Sequence, residues 1–84
     1  MDEKLILNDG TELDGHLIQA DDRLFLYIHS ISFENAFLLL SEPENVKTIR
    51  WQRYGEKGTV KGFKRLYSVT EESDTLVTAA LKKG

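Results

Sequence analysis

Ser32-Phe33-Glu34-Asn35-Ala36-Phe37-Leu38-Leu39-Leu40-Ser41-Glu42-Pro43 decides the fold, because it carries the one convincing helical pattern in the chain. Phe33, Ala36, Phe37 and Leu40 recur at i, i+3, i+4 and i+7, one face of a 3.6-residue repeat. Ser32 is placed to cap the first turn by accepting from a free backbone N–H, and Ile31 before it to staple onto Ala36. Pro43 ends the run by disfavouring the α conformation of Glu42. Isolated helices shorter than about 12–15 residues are marginal in water. This one must therefore bury its apolar face, and the rest of the sequence predicts a sheet for it to bury against.

With successive residues about 100° apart, Ala36, Leu40, Phe33 and Phe37 fill one arc, with Leu39 at its edge, and are expected to face the core. Leu38 falls on the opposite side, between Glu34 and Asn35. Two readings follow. Leu38 is a lone exposed leucine, which needs no explanation, or both sides of the helix are covered and Glu34, Asn35 and Leu38 form a protein interface, with a partner or with a second copy.

Upstream of the helix the chain reads as a β-meander. Leu5-Ile6-Leu7 leads into Asn8-Asp9-Gly10, and a type I turn centred on Asn8 and Asp9, with Gly10 as a left-handed bulge residue, pairs Leu7 with Thr11 and Leu5 with Leu13. A two-residue turn at Asp9-Gly10 would instead set Leu7 against Glu12 and Leu5 against Asp14, so the first register is preferred. A two-residue turn at Asp21-Asp22 pairs Leu17 with Leu26 and Ile18 with Phe25. Leu5, Leu7, Leu13, Leu17, Leu24, Leu26 and Ile28 then share one face, the expected core. The other face, with Ile6, Glu12, Asp14, His16, Ile18, Phe25 and Tyr27, is too apolar for a fully solvated surface.

Downstream, Val46 to Tyr54 has strand composition, Gly55-Glu56-Lys57-Gly58 reads as a loop, and Thr59 to Val69 as an extended stretch bent at Gly62. A last strand runs from Thr75 to about Lys82. The expected fold is α+β in the order β-β-β-α-β-β-β, with one short helix packed on a mainly antiparallel curved sheet or small open barrel.

At 84 residues the chain is read as a single domain, 1–84, with room for one modest core. It has no cysteine, hence no disulfide and no thiolate nucleophile, which makes a cytoplasmic location the default expectation. Met1-Asp2-Glu3-Lys4 is charged and followed by only three apolar residues, unlike a signal peptide or membrane anchor.

Charge divides sharply along the chain. Residues 1–46 hold ten acids against Lys4 and Arg23, a net of −8. Residues 47–65 hold seven bases against Glu56, a net of +6, and residues 66–84 add −1 to give the overall −3. A segment this basic points to anionic partners. Arg50, Arg53, Tyr54, Lys57, Lys61, Lys64 and Arg65, interleaved with Trp51 and Phe63, form the candidate anion or nucleic-acid surface. That composition suits phosphate neutralisation combined with base stacking. The competing reading places Trp51 and Phe63 in the core and makes the charges a solvated hairpin that protects a sheet edge.

Catalytic signatures are lacking. His16 falls in a predicted strand and His29 just before the helix, without zinc-site spacing, and no pair of carboxylates stands out from the acids of the turns. Gly55-Glu56-Lys57-Gly58 resembles the clamp of KH domains, but that clamp joins helices and this stretch joins strands. No catalytic residue, metal, cofactor or small-molecule substrate is expected.

The order of Leu5-Ile6-Leu7-Asn8-Asp9-Gly10-Thr11-Glu12-Leu13, Leu26-Tyr27-Ile28, Leu40-Ser41-Glu42-Pro43-Glu44-Asn45, Tyr54-Gly55, Gly62-Phe63 and Leu81-Lys82 resembles small phage-associated proteins from prophage-like regions of Firmicutes, some of which accompany tail or baseplate genes. The resemblance implies a structural or assembly role and carries over no functional residue. The expected function is a non-enzymatic interaction protein, a phage-related structural or assembly subunit working by self-association or by docking on larger proteins. The alternative is a small nucleic-acid-binding domain using residues 47–65.

Overall fold

A computed structural model describes residues 3–84; Asp2, counted above among the acids of the first half, lies outside them. The elements are β1 (Glu3–Ile6), β2 (Glu12–Ala20), β3 (Arg23–His29), α1 (Phe33–Ser41), α2 (Pro43–Val46), β4 (Thr48–Arg53), β5 (Glu56–Lys61), β6 (Phe63–Ser73) and β7 (Leu76–Lys83). The seven strands pair antiparallel in one open sheet of order β5-β4-β1-β2-β3-β7-β6. The α+β class and the antiparallel sheet are those expected from the sequence.

Turn chemistry sets the first two hairpins. Leu5 pairs with Leu13 and Ile6 with Glu12, Gly10 N–H donates to the Leu7 carbonyl at 2.9 Å, and Gly10 lies at φ +94. That left-handed conformation is the reason a glycine stands there. At the second hairpin Leu17 pairs with Leu26 and Ile18 with Phe25, while Asp21 occupies φ 54, a region that aspartate tolerates better than most residues.

β2 belongs to both halves of the sheet. Its residues Glu12–Asp14 pair with β1 and its residues from Gly15 to Ala20 pair with β3. The exchange happens at Gly15, where a Cβ would collide with the Tyr27 carbonyl oxygen; a glycine within a strand marks such a bend. The two edge strands, β5 and β6, are consecutive in the chain with only Gly62 between them. The edges of a flat seven-stranded sheet would lie roughly 29 Å apart at the usual strand spacing. The sheet must therefore curl until its edges meet at one corner, at Gly62, whose N–H adds a last rung to the β4–β5 ladder by donating to the Lys47 carbonyl at 3.2 Å.

The concave face holds the core: Leu5, Leu7, Leu24, Leu26, Ile28, Ile49, Phe63, Ala79 and Leu81, joined by Leu40 from α1 and Val46 from α2. Each fully buried leucine contributes roughly 1.5–3 kcal/mol of transfer free energy. Leu13 and Leu17, assigned to this face from the sequence, are partly buried at its margin. α1 packs against β6 and β7, and α2 against β6 and β4, so the helices span the seam between the two ends of the sheet. On the convex face Ile18 is half exposed, while the His16 ring stacks on Tyr27 with centroids 5.0 Å apart.

Four local expectations change, the first at Val46: read as the start of a strand, it instead ends α2, a second short helix that Pro43 opens from its first turn. The stretch read as a loop, Gly55–Gly58, is mostly strand, because the chain turns within Tyr54-Gly55 alone, at φ 49 and φ 83, and Arg53 already pairs with Glu56. The single stretch Thr59–Val69 is two strands on opposite edges, because Gly62 at φ 88 redirects the chain completely. Phe37, assigned to the core, is 49 % exposed. α1 lies over the sheet margin at β6 and β7, so its buried arc is narrow and centres on Ala36 and Leu40, with Leu39 partly buried.

Candidate functional site

α1 is a short helix with a well-made start. Ser32, in extended conformation, accepts from the Asn35 N–H at 3.2 Å through its hydroxyl oxygen, and Glu34 lies in the first turn, where a negative charge meets the positive end of the helix dipole. Above the buried Ala36 and Leu40, the helix shows solvent a ridge of apolar side chains: Leu38 is 71 % exposed and Phe37 half exposed. The Phe33 and Phe37 rings stack 6.5 Å apart along it. Glu34 and Asn35, grouped with Leu38 from the sequence, are likewise exposed.

Beside this ridge runs a groove of about 260 Å³, with Phe37, Ser41 and Pro43 on the helix side and Lys64 to Ser68 on β6. Tyr67 is 56 % exposed and carries the Arg23 guanidinium over its ring at 4.6 Å. Neither Phe37 nor Tyr67 was singled out as a surface residue from the sequence. The signal for Phe37 was hidden, since helical periodicity gives the apolar arc but not where the sheet ends beneath it.

The basic segment does not form one surface. Arg50, Lys57 and Lys61 alternate with the inward residues Ile49, Gly58 and Val60 and lie exposed on the outer face of the β4–β5 hairpin. Arg53 is drawn to the end of the sheet, where its Nε lies 3.3 Å from the Glu3 carboxylate. Tyr54 stands at the hairpin turn. Lys64 and Arg65 are on β6, at the groove beside α1. The two aromatics that would stack on bases are taken up by the fold: Phe63 is fully buried, and Trp51 lies across Gly58, whose missing side chain makes room for the indole.

A smaller pocket of about 190 Å³ opens where β2 parts from β1, lined by Trp51, Leu17 and Val60 with Glu3, His16 and Arg53 at its polar side. The Glu3 carboxylate lies 3.3 Å from Arg53 Nε and 3.5 Å from His16 Nδ1. The Arg53 pair is partly exposed and so of modest strength. Among the described residues no group of three histidines and carboxylates could hold a metal ion, and no helix is long and apolar enough to cross a membrane. In the first turn the Asp9 carboxyl is held below its ordinary value, chiefly by the Thr11 backbone N–H.

No family model matches the chain, and no curated protein or solved structure matches it.

Proposed function

We propose that this chain is a non-enzymatic interaction protein, a structural or assembly subunit of a phage-related particle that works through protein–protein contacts. The observation that carries the reading is the α1 ridge: a nine-residue helix, firmly capped, leaves Leu38 and half of Phe37 in water. Apolar side chains held side by side on a rigid element favour a covering partner. The likeness to small prophage-encoded proteins supports the phage setting. The test is mass spectrometry of particles purified after induction of a host that encodes the chain. The chain is expected in the particle or in an assembly intermediate at fixed stoichiometry, and the Leu38→Lys variant is expected to be folded but left out. Absence of the wild-type chain from both would end this reading.

A second reading, a small nucleic-acid-binding domain, is favoured by one observation: Arg50, Lys57 and Lys61 share the outer face of one hairpin, and no carboxylate pairs with them among the described residues. Burial of Phe63 and the packing of the partly buried Trp51 across Gly58 take two aromatics away from the stacking platform that such domains use, leaving Tyr54 exposed at the turn. An NMR titration with single-stranded and duplex nucleic acid at physiological salt separates the two, since binding would shift the amides of residues 48–61 together.

A further inference from the structure

We propose that the α1 ridge and the groove beside it form a self-complementary docking surface, occupied by a second copy of this chain across a twofold axis. The proposal rests on the reading of the chain as a protein-contact subunit and names its partner.

Three features of the surface point to a copy of itself. Glu34, Leu38 and Glu42 stand at i, i+4 and i+8, so an acidic row flanks the exposed leucine along one line of α1 and its cap. Across Phe37 and Ser41, on the far side of the groove, Lys64 and Arg65 supply two positive charges. None of these four charged side chains has an ion-pair partner among the described residues. A patch with acid on one flank, base on the other and apolar side chains between is complementary to its own image: a twofold rotation lays each acidic row over the other copy's cations. Leu38 of each copy then enters the groove of the other, beside Phe37.

The occupant follows from the signs of the charges. A nucleic acid would meet Lys64 and Arg65 but be repelled by Glu34 and Glu42, and an acidic peptide would suffer the same mismatch. A second copy satisfies both flanks at once. Burial of Leu38 and Phe37 supplies the affinity, while the exposed ion pairs fix register and orientation.

Sedimentation velocity of the full chain, from low to high micromolar concentration and across a salt series, tests the proposal. The wild type is expected to be a dimer that weakens as salt screens the flanking pairs. Leu38→Lys is expected to be monomeric, with a melting temperature equal to that of wild type in dilute protein, where association adds nothing. Reversing the acidic flank (Glu34→Lys with Glu42→Lys) or the basic flank (Lys64→Glu with Arg65→Glu) replaces attraction by repulsion at two symmetry-related places, and each should raise the dissociation constant about tenfold or more. All four changes together should bring it back to within about threefold of wild type, because complementarity is restored. A wild-type monomer throughout, a dimer indifferent to Leu38→Lys, or a fourfold variant no better than either reversal would overturn the proposal. A monomer that still enters particles would end the dimer while leaving the interaction reading intact.

Discussion

The Asn45 side-chain amide donates a 2.8 Å hydrogen bond to the Leu39 carbonyl oxygen, which lies in the last turn of α1 and has no partner within the helix. Asn45 is nearly buried, and its backbone makes two more ties: its N–H donates to the Glu42 carbonyl and its carbonyl accepts from the Asn8 N–H, both at 3.0 Å. One residue thus fastens the end of α1, the turn of α2 and the first hairpin.

Replacing Asn45 by leucine should cost about 1–3 kcal/mol, since the Leu39 carbonyl loses its partner in a part-buried place. Asn8→Ala should cost much less, because the Asn8 contact is made by the backbone and survives the change. Chemical denaturation of both variants checks the contrast; equal losses would show that the Asn45 amide contributes nothing.

Tyr54 is held at φ 49 in the two-residue turn between β4 and β5, followed by Gly55 at φ 83. Left-handed backbone is unfavourable for tyrosine and well tolerated by asparagine, the residue this turn type favours. The Tyr54 ring is 71 % exposed, so little packing is lost on replacing it. Tyr54→Asn should therefore stabilise the protein by about 0.5–1 kcal/mol, read as a higher denaturation midpoint with unchanged slope. A lower midpoint would mean that the contact of Arg53 with the Tyr54 ring, at 5.9 Å, outweighs the backbone strain.

These two residues also show why some of the structure was legible in the sequence and some was not. The first hairpin could be read because turn and packing agree: Asn8-Asp9-Gly10 favours one register, and that register alone sets Leu5 against Leu13. At Tyr54-Gly55 they disagree, since tyrosine is a poor turn former, and the glycines of Gly55-Glu56-Lys57-Gly58 point to a loop where β5 already runs. The assignment of β5 and β6 to opposite edges is a long-range property that Gly62 permits but does not announce. For the candidate site, the exposure of Leu38 follows from helical geometry alone. That of Phe37 depends on where α1 rests on the sheet, and the separation of Lys64 and Arg65 from Arg50, Lys57 and Lys61 depends on the turn at Gly62.

Asp9 gives a pH dependence with a definite sign. Thr11 N–H donates to its Oδ1 at 2.9 Å, which favours the carboxylate and lowers the pKa below the ordinary 3.8. A carboxyl depressed on folding contributes stability above its unfolded-state value, and loses it as the pH falls through the lower folded-state value. The stability difference between wild type and Asp9→Ala should accordingly be constant near neutrality and shrink as the pH is taken from about 5 to about 2. Paired denaturant melts across that range measure it, and a difference that grows on acidification would contradict the assigned direction.

The last prediction separates the two sides of α1. Leu40 is fully buried in the core shared with β1, β3 and β7, so Leu40→Ala should destabilise by about 2–5 kcal/mol through lost transfer energy and the cavity left behind. Leu38 is two positions away on the same helix but turned to solvent. Leu38→Lys in dilute protein should stay within about 0.5 kcal/mol of wild type, as surface changes usually do. Phe37→Ala should fall between them, since half its ring is covered at the groove. Melts of the three variants at low protein concentration order these effects without any contribution from association. If Leu38→Lys proved as damaging as Leu40→Ala, α1 would be buried on both sides within one chain, and the ridge would not be a free surface at all.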